Sequence, residues 1–328
     1  MTATATASTA PITAAATAAA HCCVVIVHYR GAADTLAAVA SVRAHARGIA
    51  IVVIDNDSPD GSGTELAAAF ADAGDVSLLR EPGNGGFGAG CNRGIDFALQ
   101  AFPALQQLLL LNPDAELTAG ALAAMQDTAR RHTDAGVVGC RIVRPDGSVW
   151  FENGRFRRWT SSRCHCRAPA GGREFASDFV TACCMLLDAA LLRQGLRFDE
   201  RFFLYSEDVD LCQQVRHRGR TLWITPAATV VHRGGGSQSG PPVLGELTAD
   251  QVHWLTRSKV LLARKHLRWP ERLLFLLLAA LAKPLVGLCI APRGRWLLPY
   301  GRGLWHGLRA DSTAGGPRGV SPPPSPSA

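Results

Sequence analysis

Ile49-Ala50-Ile51-Val52-Val53-Ile54-Asp55-Asn56-Asp57-Ser58-Pro59-Asp60-Gly61 sets the pattern of the chain. An apolar run without alternation reads as a strand buried on both faces. It stops at once in a dense turn of Asp, Asn, Ser, Pro and Gly. The same grammar recurs on either side. Upstream, His21 to Val27 is a second β-branched run, broken by His28-Tyr29-Arg30-Gly31 and followed by helical composition from Asp34, a candidate cap, to Ala46. Downstream come a short helix over Thr64 to Ala73, a strand over Val76 to Leu79 and the turn Glu81-Pro82-Gly83-Asn84-Gly85-Gly86. A helix from Phe87 to Ala101 and a strand from Leu108 to Leu111, stopped by Asn112-Pro113-Asp114, come next. A helix near 119–132 and a strand near 136–143 complete the series. Strands and helices alternating at this spacing predict an α/β fold: a doubly wound, mostly parallel sheet flanked by helices, with right-handed crossovers. In such a sheet ligands bind beyond the carboxyl ends of the strands. His28, Asp55, Asn84 and Asp114 all fall there.

Composition divides the chain further. It has 328 residues, an apolar fraction of 47% and a net charge of +7. Residues 251–328 carry twelve Lys and Arg against only Glu271 and Asp311, whereas the first 250 hold 22 basic and 25 acidic residues. A slightly acidic body with a basic tail suits an anionic lipid or nucleic-acid partner for the tail. From Leu247 to Leu267 the pattern is helical and basic. Leu273 to Ala282 is wholly apolar, Lys283-Pro284 interrupts it, and Leu285 to Ala291 is apolar again. Neither piece alone reaches the ~20 residues of a span. Together with flanking Arg, Lys and Trp they predict helices lying in a membrane interface. A single kinked span, or a bundle packed on the main domain or on a second copy in a homo-oligomer, are the alternatives. Interleaved aliphatic runs favour lipid over nucleic acid.

The expected division is a disordered Ala/Thr-rich segment over 1–20, a main domain over 21–240, a helical region over 241–310 and a disordered tail over 311–328. No secretory signal is visible. The ten cysteines include adjacent pairs, Cys22-Cys23 and Cys183-Cys184, which are poor disulfide partners. Reduced, buried thiols point to the cytosol. Cys164-His165-Cys166 lacks a second ligand pair at finger spacing, so it reads as loop structure.

Several stretches carry chemistry. Gly83-Asn84-Gly85-Gly86-Phe87-Gly88 matches G-x-G-x-x-G, whose backbone N–H groups can face a phosphate; a tight strand-to-helix turn accounts for it equally. Asp55 can accept from a ribose hydroxyl or a base N–H, or can close an Asx-turn. Asp114, aimed outward by Pro113, can bind a hard cation whose other ligands come from a substrate's phosphates, or can cap a helix. Residues 145–178 have hairpin and loop chemistry of the kind that reads a substrate. Phe179 to Leu187 is strand-like, and Thr221 to Ile224 and Ala228 to Val231 read as two short strands before His232. Between them lies Phe202-Phe203-Leu204-Tyr205-Ser206-Glu207-Asp208-Val209-Asp210-Leu211-Cys212, an apolar run ending in clustered carboxylates. Ser206 is a candidate N-cap for a helix running to about Arg218, with Glu207 and Asp208 at its positive end.

In order and spacing, these motifs resemble the inverting family 2 glycosyltransferases of GT-A fold, especially the rhamnosyltransferase-like branch. Val24-Val25-Ile26-Val27-His28-Tyr29-Arg30 is similar to that family's opening strand, where Asn is commoner at positions 28 and 30. Val52 to Ser58 is similar to its nucleotide-contacting turn, and Asn84 to Ile95, with Asn92, to its glycine-rich helix start. Leu111-Asn112-Pro113-Asp114 stands where the family carries Asp-x-Asp, with Asn112 replacing the first carboxylate. Phe198 to Cys212 resembles the acceptor block that holds the base, and Val231-His232 the downstream histidine. The resemblance covers about residues 22–236.

The resemblance implies a nucleoside-diphosphate sugar donor, dTDP- or UDP-linked, seated by His28, Tyr29, Arg30, Asp55, Asn84, Gly86, Asn92 and Asn112. It implies Mg²⁺ or Mn²⁺ on Asp114 and His232, Asp208 as general base and Glu207 as its support, with Asp210 serving helix structure. The acceptor would be a glycan or lipid-linked saccharide, the sugar a rhamnose by the leaning of the branch, and the place of work the inner face of the cell membrane, reached from the cytoplasm. An NAD-dependent oxidoreductase and a non-catalytic scaffold of the same fold are the competing readings.

Overall fold

The computed structural model describes residues 20–234, 247–290 and 294–310. The expectations for 1–19, for Gly235-Gly236-Ser237, for Ala291 and for 311–328 lie outside these residues. The strands are β1 Cys22–His28, β2 Ala50–Asp55, β3 Val76–Arg80, β4 Gln107–Leu111, β5 Ala115–Leu117, β6 Ala135–Val143, β7 Val149–Phe151, β8 Gly154–Arg157, β9 Ser162–His165, β10 Phe175–Ala176, β11 Cys184–Asp188 and β12 Thr221–His232. The helices are α1 Ala32–His45, α2 Ser62–Ala69, α3 Phe87–Ala101, α4 Ala121–Arg131, α5 Ala189–Arg193, α6 Glu207–His217, α7 Ala249–His266, α8 Trp269–Leu277, α9 Lys283–Ile290 and α10 Leu297–Arg309.

One sheet runs in the order β10-β12-β6-β11-β4-β1-β2-β3. Every residue of β1 and β2 is buried, as expected of central strands covered by helices on both faces. β3, β2, β1 and β4 are parallel, and so are β6 and β12. β11 runs antiparallel to both β4 and β6. β6 ends at the carboxyl edge and the chain leaves there through β7, β8 and β9; β10 lies beside the first half of β12, and the chain then comes back to the carboxyl edge to begin β11. No crossover helix returns it to the opposite edge, so its re-entry runs the other way. The two short strands expected near the end of the domain are one, β12, with its register broken between Thr225 and Thr229. Pro226 falls in that break and has no N–H to give a ladder. α1 begins two residues earlier than expected: Gly31 caps it in a left-handed conformation, and Asp34 sits in the first turn without capping.

The C-terminal helices differ from expectation. Lys283-Pro284 does not interrupt the helix. A π-helical segment, Leu278–Ala282, carries α8 into α9. Pro284 cannot donate to the carbonyl five residues back, which is Ala279's, and the Tyr300 hydroxyl from α10 donates there instead at 2.6 Å. Trp269–Cys289 therefore forms 21 residues of mean hydropathy 1.9, long and apolar enough to cross a membrane. Leu277, Leu281, Leu285 and Val286 on it are exposed, while Phe275 and Ala279 pack with Val260 and Ala263 of α7.

Candidate active site

The carboxyl edges of β1 and β2 build the first wall. His28 and Asp55 are register partners at the strand ends, and both are buried. Nδ1 of His28 meets the Thr35 hydroxyl at 2.7 Å and Nε2 meets Ser62 at 2.8 Å. With both nitrogens engaged, His28 braces β1 against α1 and α2. Burial lowers its pKa, against the pull of Asp55 and Asp60, so the ring is neutral. Asp55 Oδ1 accepts the Ser58 N–H at 3.0 Å, closing the Asx-type turn, and Oδ2 lies 3.4 Å from Arg80 Nε. A Cβ at Gly63 would collide with that carboxylate, so glycine makes room for it. Tyr29 and Arg30 are half-buried at the rim, the guanidinium 5.2 Å from the Tyr29 ring centroid and Arg30 in a left-handed backbone conformation.

The glycine-rich turn ties this wall to the acceptor block. Asn84 Oδ1 accepts from Gly86 N at 2.8 Å and from Asn56 Nδ2 at 3.0 Å. Gly86 has φ 91°, and a Cβ there would strike the Phe203 carbonyl. Asn92 donates to the Phe198 carbonyl and to Glu200 Oε1, both at 2.9 Å, and accepts from Phe198 N. The side chains of Asn84 and Asn92, expected to contact a nucleotide, also serve as scaffolding. They fix the turn and pin 198–203 above it.

The second wall is the metal candidate. β5 pairs antiparallel with the end of β12, with His232 opposite Ala115, and Arg233 N donates to the Asp114 carbonyl at 2.9 Å. This pairing brings His232 Nε2 to 3.1 Å from Asp114 Oδ1. Two ligands at right angles on an octahedral ion with bonds of about 2.1 Å lie about 3 Å apart. Both ring nitrogens of the buried His232 lack a hydrogen-bond partner. An orphaned imidazole beside a carboxylate fits a divalent cation. Among the described residues no group of three or more His, Cys, Asp or Glu could hold one, so the remaining ligands would be phosphate oxygens or water. Asn112, half-buried, donates its N–H to Cys183 O at 2.9 Å. Burial, then the charges of Asp114, Cys184 and Asp208, drive the Cys183 thiol far above its usual pKa. The Trp150 ring packs 4.7 Å from His232.

The third wall is the start of α6. Tyr205 and Ser206 both have positive φ, 69° and 65°, and Ser206 makes no side-chain cap. Two successive non-glycine residues in that region store strain, of order 1–3 kcal/mol each. Asp208 instead accepts the Val209 N–H at 2.8 Å and faces Arg163 Nη1 at 3.6 Å. Glu207 is buried, with Oε2 unpartnered; burial first and then the Asp208 charge push its pKa up to about 8. At neutral pH Glu207 is protonated. Asp210 turns away from the site. Its carboxylate meets His266 Nε2 at 2.7 Å, Lys265 Nζ at 2.9 Å and Gln214 Nε2 at 2.8 Å.

Arg163, Trp150 and Asn56 are the contributors that sequence reasoning missed. Arg163 was one arginine among many between 155 and 173. Only the pairing of β8 with β9 aims it at Asp208. Asn56 lay within the turn signal, and its bond to the Gly86 carbonyl at 3.1 Å joins two strand ends.

Comparison with known proteins agrees with this architecture. An N-acetylglucosaminyl-diphospho-decaprenol L-rhamnosyltransferase of Mycobacterium tuberculosis is 28% identical over 251 residues, covering 68% of this chain and 77% of that protein. The low-salt glycan biosynthesis hexosyltransferase Agl10 of Haloferax volcanii is 24% identical over 214 residues, covering 64% and 66%. The crystal structure of GalNAc-T7 with UDP, GalNAc and Mn²⁺ superposes with a TM-score of 0.59 at 16% identity, over 75% of this chain and 48% of that one, a likeness of fold. The family model for glycosyl transferase family 2 matches residues 23–196, more than half of the chain. The chain belongs to glycosyl transferase family 2 and is a glycosyltransferase, similar to rhamnosyltransferases of glycan synthesis.

Proposed function

We propose that the protein moves a sugar, rhamnose being the leading candidate, from a dTDP- or UDP-linked donor to a hydroxyl of a lipid-linked saccharide in cell-surface polysaccharide synthesis, with inversion at the anomeric carbon. The observation that carries this reading is the joint placement at one sheet edge of the Asp114–His232 pair and the Asp208 carboxylate. The relative from Mycobacterium, named for a diphospho-decaprenol acceptor, supports the choice of acceptor and sugar.

In this reading Asp114 and His232 hold Mg²⁺ or Mn²⁺. When bound, the cation neutralises the charge that builds on the leaving diphosphate. Asp208 takes the proton of the acceptor hydroxyl as its oxygen bonds to the anomeric carbon, on the face opposite the departing diphosphate. Glu207, protonated, adds no second charge beside that base. Arg163 fixes the Asp208 carboxylate from across the cleft. Asp55, Tyr29 and Arg30 remain the candidates for base and ribose contacts. The exposed apolar face of α8 and α9 supports work at the inner surface of the cell membrane, approached from the cytoplasm.

Asp208→Asn tests the assignment. The variant is expected to keep metal-dependent stabilisation by UDP or dTDP in a thermal-shift assay and to lose transfer to product by mass spectrometry. Turnover at the parent rate would remove Asp208 from the role of base.

A further inference from the structure

Three cations lie on elements that come together: the β8–β9 hairpin, α7 and the apolar helix. Arg163 lies on β9, Lys259 on α7 and Lys283 at the start of α9. Ser161, itself left-handed at φ 45°, donates its hydroxyl to the Lys259 carbonyl at 3.1 Å, which fixes the hairpin turn to α7. Phe156 of the hairpin packs on the same cluster as Val260, Ala263 and Phe275. Lys283 Nζ sits 5.4 Å from the Phe275 ring centroid. Burial, then the positive charges of Lys283 and Arg163, lower the Lys259 pKa to about 8.

Among the described residues neither Lys259 nor Lys283 has an acidic partner. Lys265, two turns further along α7, has two, Asp199 and Asp210. Like charges that are gathered and partly desolvated, with a carboxylate beside Arg163 alone, raise the energy of the free protein, and an anion relieves that. The position of the cluster narrows the anion. On one side Arg163 reaches Asp208 at 3.6 Å. On the other, Leu281 and Leu285 flank Lys283 in sequence and are 63% and 67% exposed. A ligand that satisfies all three surroundings has a hydroxyl near Asp208, a multiply charged group in the middle and a hydrocarbon tail.

We propose that Arg163, Lys259 and Lys283 bind the diphosphate of a lipid-linked sugar acceptor, with its hydrocarbon chain running along Leu277, Leu281 and Leu285. The proposal rests on the lipid-linked reading of the acceptor given above and names the residues that would recognise it.

The test is direct binding by the full chain, titrated in EDTA so that no metal bridges a diphosphate to Asp114 and His232. The probes are farnesyl diphosphate, farnesol and inorganic diphosphate. The parent protein is expected to bind farnesyl diphosphate at least about tenfold more tightly than either part alone, since charge-assisted bonds and apolar burial add. Lys259→Gln/Lys283→Gln should lose that margin while melting no lower than the parent, because it removes repulsion. Lys283→Gln alone, at a half-buried helical position, provides the same comparison should the double variant fold poorly. Equal affinity of parent and variants for farnesyl diphosphate, or no preference over inorganic diphosphate, overturns the assignment. If the cluster binds as expected but the enzyme uses a neutral alkyl glycoside as efficiently as a lipid diphosphate sugar, the lipid-linked acceptor fails instead.

Discussion

Glu207→Gln isolates the unusual electrostatics at the start of α6. Glu207 is 8% exposed, its Oε2 has no partner, and the Asp208 carboxylate is its neighbour in sequence. Burial and that charge place its folded pKa at about 8, against 4.5 for an ordinary glutamate. Below pH 4.5 the carboxyl is protonated in both folded and unfolded chains and costs nothing. Between 4.5 and 8 the unfolded chain gives up the proton while the folded protein retains it. Stability therefore falls as pH rises, by about 1.4 kcal/mol per unit, and levels off above 8. The full loss is on the order of 5 kcal/mol. Glutamine has the same shape, does not titrate, and abolishes this dependence. Melting temperatures of parent and variant, measured from pH 5 to pH 9, should converge at the acid end and separate by on the order of 10 °C at the alkaline end, the variant being higher. Other groups titrate in both proteins and cancel in the difference. The variant should also turn over at pH 7, since the residue it replaces is already neutral there. Parallel melting profiles would refute the buried, protonated carboxyl, and an inactive Gln variant would make Glu207 more than a neutral neighbour.

Other expectations follow from single contacts. Asp210→Ala leaves His266 and Lys265 facing an empty position and should cost about 3–5 kcal/mol in chemical denaturation, with Asp210→Asn retaining part of it. Gly86→Ala drives a Cβ into the Phe203 carbonyl from a left-handed backbone and should cost at least about 1–3 kcal/mol. Because Phe203 leads into Asp208, its kcat should fall more than its nucleotide affinity, a split visible in steady-state kinetics.

The four parallel strands β1 to β4 were legible because their apolar runs are continuous and each ends in turn chemistry. β11 was legible as a strand but not in direction. Direction depends on whether a helix carries the chain back across the sheet, and the excursion through 144–183 has none to do so. Asp114 and His232 were legible as metal candidates from residue type, yet their approach comes from β5, a three-residue strand with no periodicity of its own. Residue type does not reveal the second role these positions have: His28, Asn84 and Asn92 lie at the functional edge, and each also bonds a partner far away in sequence. Ser206 has the chemistry of a cap, but the approach of the chain to α6 holds it at φ 65°, where its hydroxyl does not reach the helix.

That approach explains why the strain at Tyr205 and Ser206 persists. The segment 198–210 is gripped from several directions. Asn92 holds Phe198 from α3, and the Gly86 turn underlies Phe203. From α7, Arg257 donates to the Arg201 carbonyl, Ser258 donates to the Leu204 carbonyl at 2.8 Å, and His266 closes on Asp210. A left-handed pair is tolerated only where neighbours over-determine it. Here three of those neighbours lie on α7, whose other face carries Phe275, Ala279 and so the apolar helix. The C-terminal helices thus bear, through α7, on the segment that carries Glu207 and Asp208. In the proposed mechanism, the orientation of α8 and α9 is passed through α7 to the residue that takes the acceptor's proton.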